Sequence, residues 1–269
     1  MKQLQEIKLS NFKCFQKAVV PLGRLTLLTG GNGTGKSTVI QALLLLRQSW
    51  EANLVARGEL ELAGRLCTIP AAGYAFNRKS EEKSMGIGLS WEDGTSADWA
   101  FSAASHYSLT LDAVNPPEME KMETELGWGG PPFNRWFNYL PAALRNASSC
   151  EYQVIDLLED AHEKLLLVEH PEAFLDAPKQ TDIGLAAARS AACGSQIVLE
   201  THSDHVLNGV RVAVHNGVIP ADQVCILFFE PDGKMTRPIM DSGGRLDYWP
   251  AGFFDEWEKA LSRLIRMGQ

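Results

Sequence analysis

The feature that most constrains this chain is the stretch LTLLTGGNGTGKSTVIQALLLL, residues 25–46. An apolar run is followed by four glycines within six residues, then by Lys-Ser-Thr and a second apolar run. This order predicts a buried strand over 25–28 and a helix over 38–46, with a glycine-rich loop between them. Because glycines let successive backbone N–H groups converge and the helix adds its positive end, such a loop is suited to binding phosphate.

The loop also fits the Walker A pattern, and the strand–loop–helix context that supports the pattern is present. Lys36 supplies a mobile cation, and the Ser37 hydroxyl is suited to Mg²⁺. The sequence therefore predicts a site for a nucleoside triphosphate, without saying which one or for what purpose.

Length and charge limit the remaining possibilities. A chain of 269 residues forms one large domain or two small ones, and its 45% hydrophobic residues are enough for a full core. The net charge of −8 argues against broad electrostatic binding to nucleic acid, although it leaves a local basic patch open.

The cysteines and the start of the chain indicate a compartment. Five widely spaced cysteines without a Cys-x-x-Cys pair favour a reduced cytoplasmic protein without a zinc site or a disulfide framework. The first residues lack the apolar core of a signal peptide, and the apolar runs are too short to span a membrane.

Strands and helices alternate in the second half of the chain. The apolar runs KLLLV (164–168), SQIVLE (195–200) and QVCILFFE (223–230) predict buried strands, and helices are expected between them and in the C-terminal stretch FFDEWEKALSRLI. This alternation predicts a mainly parallel α/β sheet. The first half instead predicts strands over 3–29 and a hairpin that turns at Asp93-Gly94.

Two of these strands end in residues with functional chemistry. Glu169 follows an apolar strand, which is the Walker B arrangement that places a carboxylate near the phosphate-bound Mg²⁺, and Glu172 is a second acid in the same loop. His202 follows the strand SQIVLE and is a candidate for contacting the γ-phosphate or a water molecule. Capping of the following helix is the alternative role that the pattern leaves open for these side chains.

The motifs together resemble one known group. IKLSNFKCF with the Walker A stretch is similar to the N-terminus of RecF/SMC-like ABC-type ATPases, and LLLVEHPEAFLD resembles their Walker B and D-loop. VLETHSDHVLNGVR and YWPAGFFDEWEKAL resemble the switch region and the C-terminal end of the prokaryotic stand-alone AAA/OLD-like (overcoming-lysogenization-defect) ATPases. The resemblance covers about 1–50 and 139–265.

The resemblance implies roles for individual residues. It implies that Glu169 is the Walker B acid and a Mg²⁺ ligand with Ser37, that His202 is the switch histidine, and that Leu175-Asp176 is a D-loop facing a second subunit. ATP would be bound by Asn32, Gly33, Thr34, Gly35, Lys36, Ser37 and Thr38. Such ATPases form ATP-dependent dimers, and many act in phage defence or DNA transactions, often beside a nuclease.

The sequence departs from the pattern in four places. The acid expected after Glu169 is His170, and the signature motif is reduced to Ser148 and Ser149 without a glycine pair. No regular Q-loop glutamine occurs, and the long helical arm looks deleted before Walker B. These departures predict slow ATP hydrolysis.

The fold class expected is therefore an α/β P-loop NTPase, ABC-ATPase head-like, with a mainly parallel sheet and an N-terminal antiparallel β lobe. We expect one ABC-type ATPase domain over 1–269, with 51–138 as a β-rich, irregular insert lobe. The leading functional hypothesis is an ATP-dependent dimerisation or assembly switch with a partner effector. A DNA-repair-type ATPase head, a nucleotide-binding scaffold and a nucleotide kinase remain as alternatives.

Overall fold

The computed structural model describes residues 2–52, 54, 57–115, 137–140, 150–231 and 233–267. These residues group into two compact units. Unit 1 comprises residues 1–23, 37–139 and 163–167, and unit 2 comprises 24–36, 140–162 and 168–269. Whether the whole chain acts as one ATPase domain stays a prediction.

Unit 1 is built on an antiparallel sheet with the strand order β2-β1-β5-β6-β7-β4. Its strands are β1 (Leu4–Phe12), β2 (Phe15–Pro21), β4 (Glu59–Leu60), β5 (Ser84–Trp91), β6 (Ser96–Ala103) and β7 (Leu109–Asn115). β5 pairs with β1 on one side and with β6 on the other. The segment expected as an insert lobe thus extends the same sheet as the N-terminal hairpin.

The predicted hairpin and the Walker A helix are both present. β5 and β6 are joined through Asp93 and Gly94, and Gly94 adopts a positive φ of 81° that a tight turn requires. Helix α1 (Lys36–Glu51) begins two residues before the predicted start. Its side chains from Val39 to Leu46 are buried apart from the half-buried Gln41.

The second sheet has the order β12-β11-β3-β10-β9-β8. Its strands are β3 (Leu25–Gly30), β8 (Phe137–Leu140), β9 (Leu165–Glu169), β10 (Gln196–Glu200), β11 (Val224–Phe229) and β12 (Met235–Thr236). β3 lies between β10 and β11 and is parallel to both, whereas β12 pairs with β11 in the antiparallel direction. The parallel centre agrees with the predicted fold class.

The helices of the second half are α2 (Cys150–Glu159), α3 (Ala177–Ala192), α4 (Asp204–His215) and α5 (Glu256–Met267). Asp176 caps α3 by accepting a hydrogen bond from the Lys179 N–H, and Ser203 caps α4 by accepting one from the Val206 N–H. No helix in the described part of the chain combines the length and the apolar character needed to cross a bilayer.

Helices α3 and α4 approach each other closely because two glycines face one another. A Cβ atom at Gly184 would lie 2.2 Å from the Val206 carbonyl oxygen, and one at Gly209 would lie 2.2 Å from the Thr181 carbonyl oxygen. The two backbones therefore meet where neither helix carries a side chain, and any larger residue would separate them.

Candidate functional site

The glycine-rich loop leaves β3 through an unusual backbone conformation. Gly30 has φ 130°, and a Cβ atom there would lie 2.4 Å from the carbonyl oxygen of Phe229 on β11. Gly33 and Gly35 also have positive φ angles, of 75° and 114°. The loop conformation is therefore one that larger residues would strain, and its start is accessible only to glycine.

Lys36 is held inside this loop. Its side chain is 3% exposed, and its ammonium donates a hydrogen bond to the Gly31 carbonyl oxygen at 2.7 Å. The same nitrogen lies 3.8 Å from Oε1 of Glu200, which is 2% exposed. Burial lowers the pKa of Lys36, and the nearby carboxylate of Glu200 opposes that shift.

The remaining Walker A residues occupy the loop and the first turn of α1. Asn32 and Gly33 are exposed at the loop tip, while Thr34 and Gly35 are buried. The Thr34 hydroxyl donates to the Gly31 carbonyl oxygen at 2.9 Å, which braces the loop. The remaining two residues, Ser37 and Thr38, lie in the first turn of α1.

Glu172 joins the two loops that follow β9 and β10. Its Oε1 accepts a hydrogen bond from the backbone N–H of His202 at 2.7 Å, although 30 residues separate the two along the chain. Its Oε2 is buried and accepts no hydrogen bond from a residue that the structure describes. Burial would raise the pKa of Glu172, but hydrogen bonds from His170 and His202 bring it below its usual value.

His170 lies between two carboxylates. Its Nε2 is 3.4 Å from Oε1 of Glu200, and its Nδ1 is 3.8 Å from Oε1 of Glu172. Hydrogen bonding to Glu172 and Glu200 raises the pKa of His170 to about 10. The residue has φ 47°, and its N–H donates to the Glu200 carbonyl oxygen at 2.9 Å, so the backbone holds the ring in place.

The rings of His170 and His202 stack on one another. Their centroids are 5.0 Å apart and their planes differ by 5°. Burial, together with the positive charges of Lys36 and His170, lowers the pKa of His202. One ring is therefore favoured in the charged form and the other in the neutral form, since two adjacent imidazolium ions would repel each other.

Three of the residues singled out in the sequence thus meet at one place, namely Lys36, Glu172 and His202. Glu169 is the last residue of β9, as expected for a Walker B acid. Asp176, expected as a D-loop acid, is exposed and caps α3, so its side chain has a structural task. Ser148 and Ser149, the reduced signature motif, lie outside the described residues.

Glu200 is the central residue that the sequence analysis did not select. It ends β10 in the same way as Glu169 ends β9, with an apolar strand delivering a carboxylate at the carboxyl edge of the sheet. The apolar strand that ends in a carboxylate is the sequence signal that could have identified Glu200. A pocket of about 450 Å³ adjoins the cluster, lined by residues that include Gly30, Gly31, His202, Phe253 and Lys259.

Two family models match separate parts of the chain. Residues 1–96 match a family described as an AAA ATPase domain. Residues 219–264 match a family described as a protein of unknown function, DUF3696. The first match contains the Walker A loop, and the second contains β11, β12 and most of α5.

One curated relative and several solved structures are similar. The chain is 40% identical over 48 residues to an OLD nuclease of Thermus scotoductus, a stretch that covers 18% of this chain and 9% of that protein. The chain thus spans about a tenth of that relative's length.

The similar solved structures include SMC head domains. The SMC head domain from Thermotoga maritima gives a TM-score of 0.47 at 10% identity, covering 89% of this chain and 99% of that one. An SMC head bound to the C-winged helix domain of ScpA gives a TM-score of 0.48 at 12% identity, and the match covers 88% of this chain and 97% of that one.

The match of residues 1–96 to a family described as an AAA ATPase domain and the short match to an OLD nuclease both agree with the OLD-like ATPase resemblance noted in the sequence.

Proposed function

We propose that this chain is an ABC-type ATPase that binds ATP, hydrolyses it slowly and uses the bound nucleotide to switch its assembly with itself or with a partner. The observation that carries the proposal is the buried Lys36 ammonium inside the glycine loop, 2.7 Å from the Gly31 carbonyl oxygen. A buried cation within a glycine-rich loop of this kind is suited to the β- and γ-phosphates of a nucleotide.

The donor groups fit ATP with Mg²⁺. The Ser37 hydroxyl in the first turn of α1 and the Glu169 carboxylate at the end of β9 are hard oxygen ligands of the kind that Mg²⁺ prefers. Bound Mg²⁺ neutralises phosphate charge, and the loop from Asn32 to Thr38 orients the triphosphate. His202, whose pKa is lowered, faces the same edge and can donate a hydrogen bond to a phosphate oxygen.

Slow turnover follows from the residues that would activate water. The position after Glu169, where a carboxylate is expected, is His170, whose two nitrogens face Glu172 and Glu200. Glu172 is the remaining acid in that loop, and one of its oxygens is engaged by the His202 N–H. Only the other oxygen is left to accept a proton, so we expect a weak general base.

Assembly is supported by the loop that follows Walker B. Phe174 is 74% exposed and adopts φ 67°, which is unusual for an aromatic residue. In the resembled ATPases this loop faces a second subunit across the nucleotide. An exposed aromatic ring held in a strained conformation at that place favours contact with another protein surface.

The biological setting is inferred from the resemblance. The OLD-like ATPases resembled here often act beside a nuclease, and we propose a cytoplasmic role in prokaryotic phage defence with a separate effector, for which a nuclease is a candidate. Direct contact with DNA, as in a DNA-repair ATPase head, is a second candidate that the net charge of −8 disfavours. A nucleotide-binding scaffold without turnover is a third.

Light scattering of the Glu169→Gln protein with and without Mg-ATP tests the switch. We expect a monomer without nucleotide and a larger assembly with it, because slowed hydrolysis prolongs the ATP-bound state. Lys36→Ala in the same experiment is expected to stay monomeric. A monomer in all conditions, with no partner recovered from cells, would contradict ATP-dependent assembly and favour the nucleotide-binding scaffold without turnover.

A further inference from the structure

One cluster in unit 2 has ligand chemistry that goes beyond the phosphate contact proposed for His202. His170, Glu200 and His202 each direct a nitrogen or oxygen atom into the same space, and these ligand atoms all lie within 4.8 Å of one another. Within this group, Nε2 of His170 and Oε1 of Glu200 are 3.4 Å apart. Neighbouring ligands around a first-row metal ion lie at about this spacing, given metal–ligand bonds of roughly 2.0–2.2 Å.

We propose that His170, Glu200 and His202 form a binding site for a first-row transition-metal ion such as Zn²⁺, distinct from the Mg²⁺ that accompanies ATP. Two imidazoles and one carboxylate match a ligand set that suits Zn²⁺ and Fe²⁺ better than Mg²⁺, which prefers oxygen ligands. Three protein ligands also leave positions open for water or another ligand.

The surroundings of the cluster support this assignment. A metal-bound histidine usually directs its second nitrogen toward a carboxylate or carbonyl group, which orients the ring. His170 has this arrangement, because its Nδ1 faces Glu172 at 3.8 Å while its Nε2 faces Glu200. Glu172 also accepts the backbone N–H of His202, so a single carboxylate contacts both residues that supply the proposed imidazole ligands.

Backbone contacts help to fix the relative positions of the three proposed ligand residues. His170 directly follows β9, Glu200 ends the neighbouring strand β10, and the His170 N–H donates to the Glu200 carbonyl oxygen at 2.9 Å. The left-handed conformation of His170, with φ 47°, places its ring against that of His202. Strain of this kind persists where the surroundings fix it, and it concentrates at functional sites.

Charge is also compatible with a bound cation. Glu200 is 2% exposed and Glu172 is 12% exposed, so two carboxylates are largely removed from water beside the cluster. The sequence analysis expected no zinc site, but it based that expectation on the cysteines, and the ligands proposed here contain no thiol.

Calorimetric titration with Zn²⁺ alone tests the proposal without nucleotide. Accessible thiols are alkylated first, because Cys14 and Cys193 are exposed and thiolates are zinc ligands. We expect one Zn²⁺ per chain, with Mg²⁺ at millimolar concentration unable to compete. Co²⁺ provides a second readout, because a site with imidazole ligands and open positions gives visible absorption bands.

Single substitutions locate the bound ion. His170→Asn and His202→Asn are each expected to weaken Zn²⁺ binding more than tenfold, since loss of even an outer carboxylate costs about 10–100-fold. His205→Asn is the matched control, because His205 is three residues from His202 and directs its Nε2 toward Asp204. Equal affinity in the wild type and His202→Asn, or an equal loss in His205→Asn, would overturn the proposal, as would a wild type that binds no Zn²⁺.

Lys36→Ala separates this proposal from the ATPase function. It removes a cation 3.8 Å from Glu200, so Zn²⁺ affinity should stay the same or rise while ATP affinity falls. Parallel loss of both affinities in a folded Lys36→Ala protein would contradict a separate metal site.

Discussion

The Glu172 carboxylate accepts a hydrogen bond from the His202 backbone N–H at 2.7 Å and thereby ties the loop after β9 to the loop after β10. The first loop directly follows Glu169, the acid expected for Walker B, and the second carries His202, the histidine expected to contact phosphate. Because a main-chain donor makes the link, it survives changes of the His202 side chain.

Replacement of Glu172 separates its charge from its structural task. Glu172→Gln keeps an amide oxygen for the His202 N–H, so we expect a folded protein in which ATP turnover falls about 100-fold, since a general base contributes about 10²–10⁴-fold. Glu172→Ala also loses the link and should unfold at a lower temperature. Steady-state phosphate release and thermal unfolding of both variants check this, and turnover unchanged in Glu172→Gln would exclude Glu172 as the base.

Replacement of Lys36 tests nucleotide binding. Lys36→Ala removes a cation from the phosphates, and hydrogen bonds to charged groups contribute about 1.5–3 kcal/mol, so ATP affinity should fall at least about tenfold. Lys234→Ala is the control, because Lys234 forms an exposed ion pair with Glu230. A calorimetric titration that gives the same ATP affinity for Lys36→Ala and the wild type would remove the phosphate-binding assignment.

Two glycines of the loop should respond differently to alanine. Gly30→Ala places a methyl group against the Phe229 carbonyl oxygen, so we expect a loss of at least about 2 kcal/mol in the free energy of unfolding. Gly33→Ala meets no atom within 4 Å and suffers only backbone strain, expected to cost roughly 1 kcal/mol. Urea denaturation compares the two, and an equal loss would mean that the close contact at Gly30 does not exist in solution.

Ser203, the N-cap residue of α4, also forms a hydrogen bond to helix α3. The Ser203 hydroxyl accepts the Val206 N–H at 3.2 Å and donates to Oε1 of Gln180 on α3 at 2.5 Å. Ser203→Ala should lower the free energy of unfolding by about 1 kcal/mol or more, whereas Ser203→Thr keeps the hydroxyl and should lower it less. Urea unfolding of both proteins checks the order, and an equal effect would exclude the cap as the cause.

The strand–helix order of the second half could be predicted because continuous apolar runs mark strands that are covered on both faces. The limits of α4 could also be predicted, since Ser203 or Asp204 is a typical start signal and Asn216-Gly217 a typical stop signal, and Ser203 is the observed cap. These are local properties of a few neighbouring residues.

The internal geometry of the site could not be predicted in this way. The stacking of His170 on His202 and the position of Glu200 between His170 and Lys36 depend on β9 lying beside β10, and β10 beside β3. Strand order is a tertiary property, and hydrophobic periodicity does not report it. The left-handed backbone at His170 was equally inaccessible, because histidine gives no conformational signal comparable to glycine.

The contact between Gly184 and Gly209 has a consequence for how a perturbation travels through unit 2. Helix α3 starts directly after the Walker B loop, α4 starts directly after the loop of His202, and the two helices touch backbone to backbone. Neither helix can tilt without pushing the other, because no flexible side chain lies between them to absorb the movement. A ligand or neighbouring protein that displaces either helix would therefore also move the other, and with them both the Walker B loop and the loop of His202.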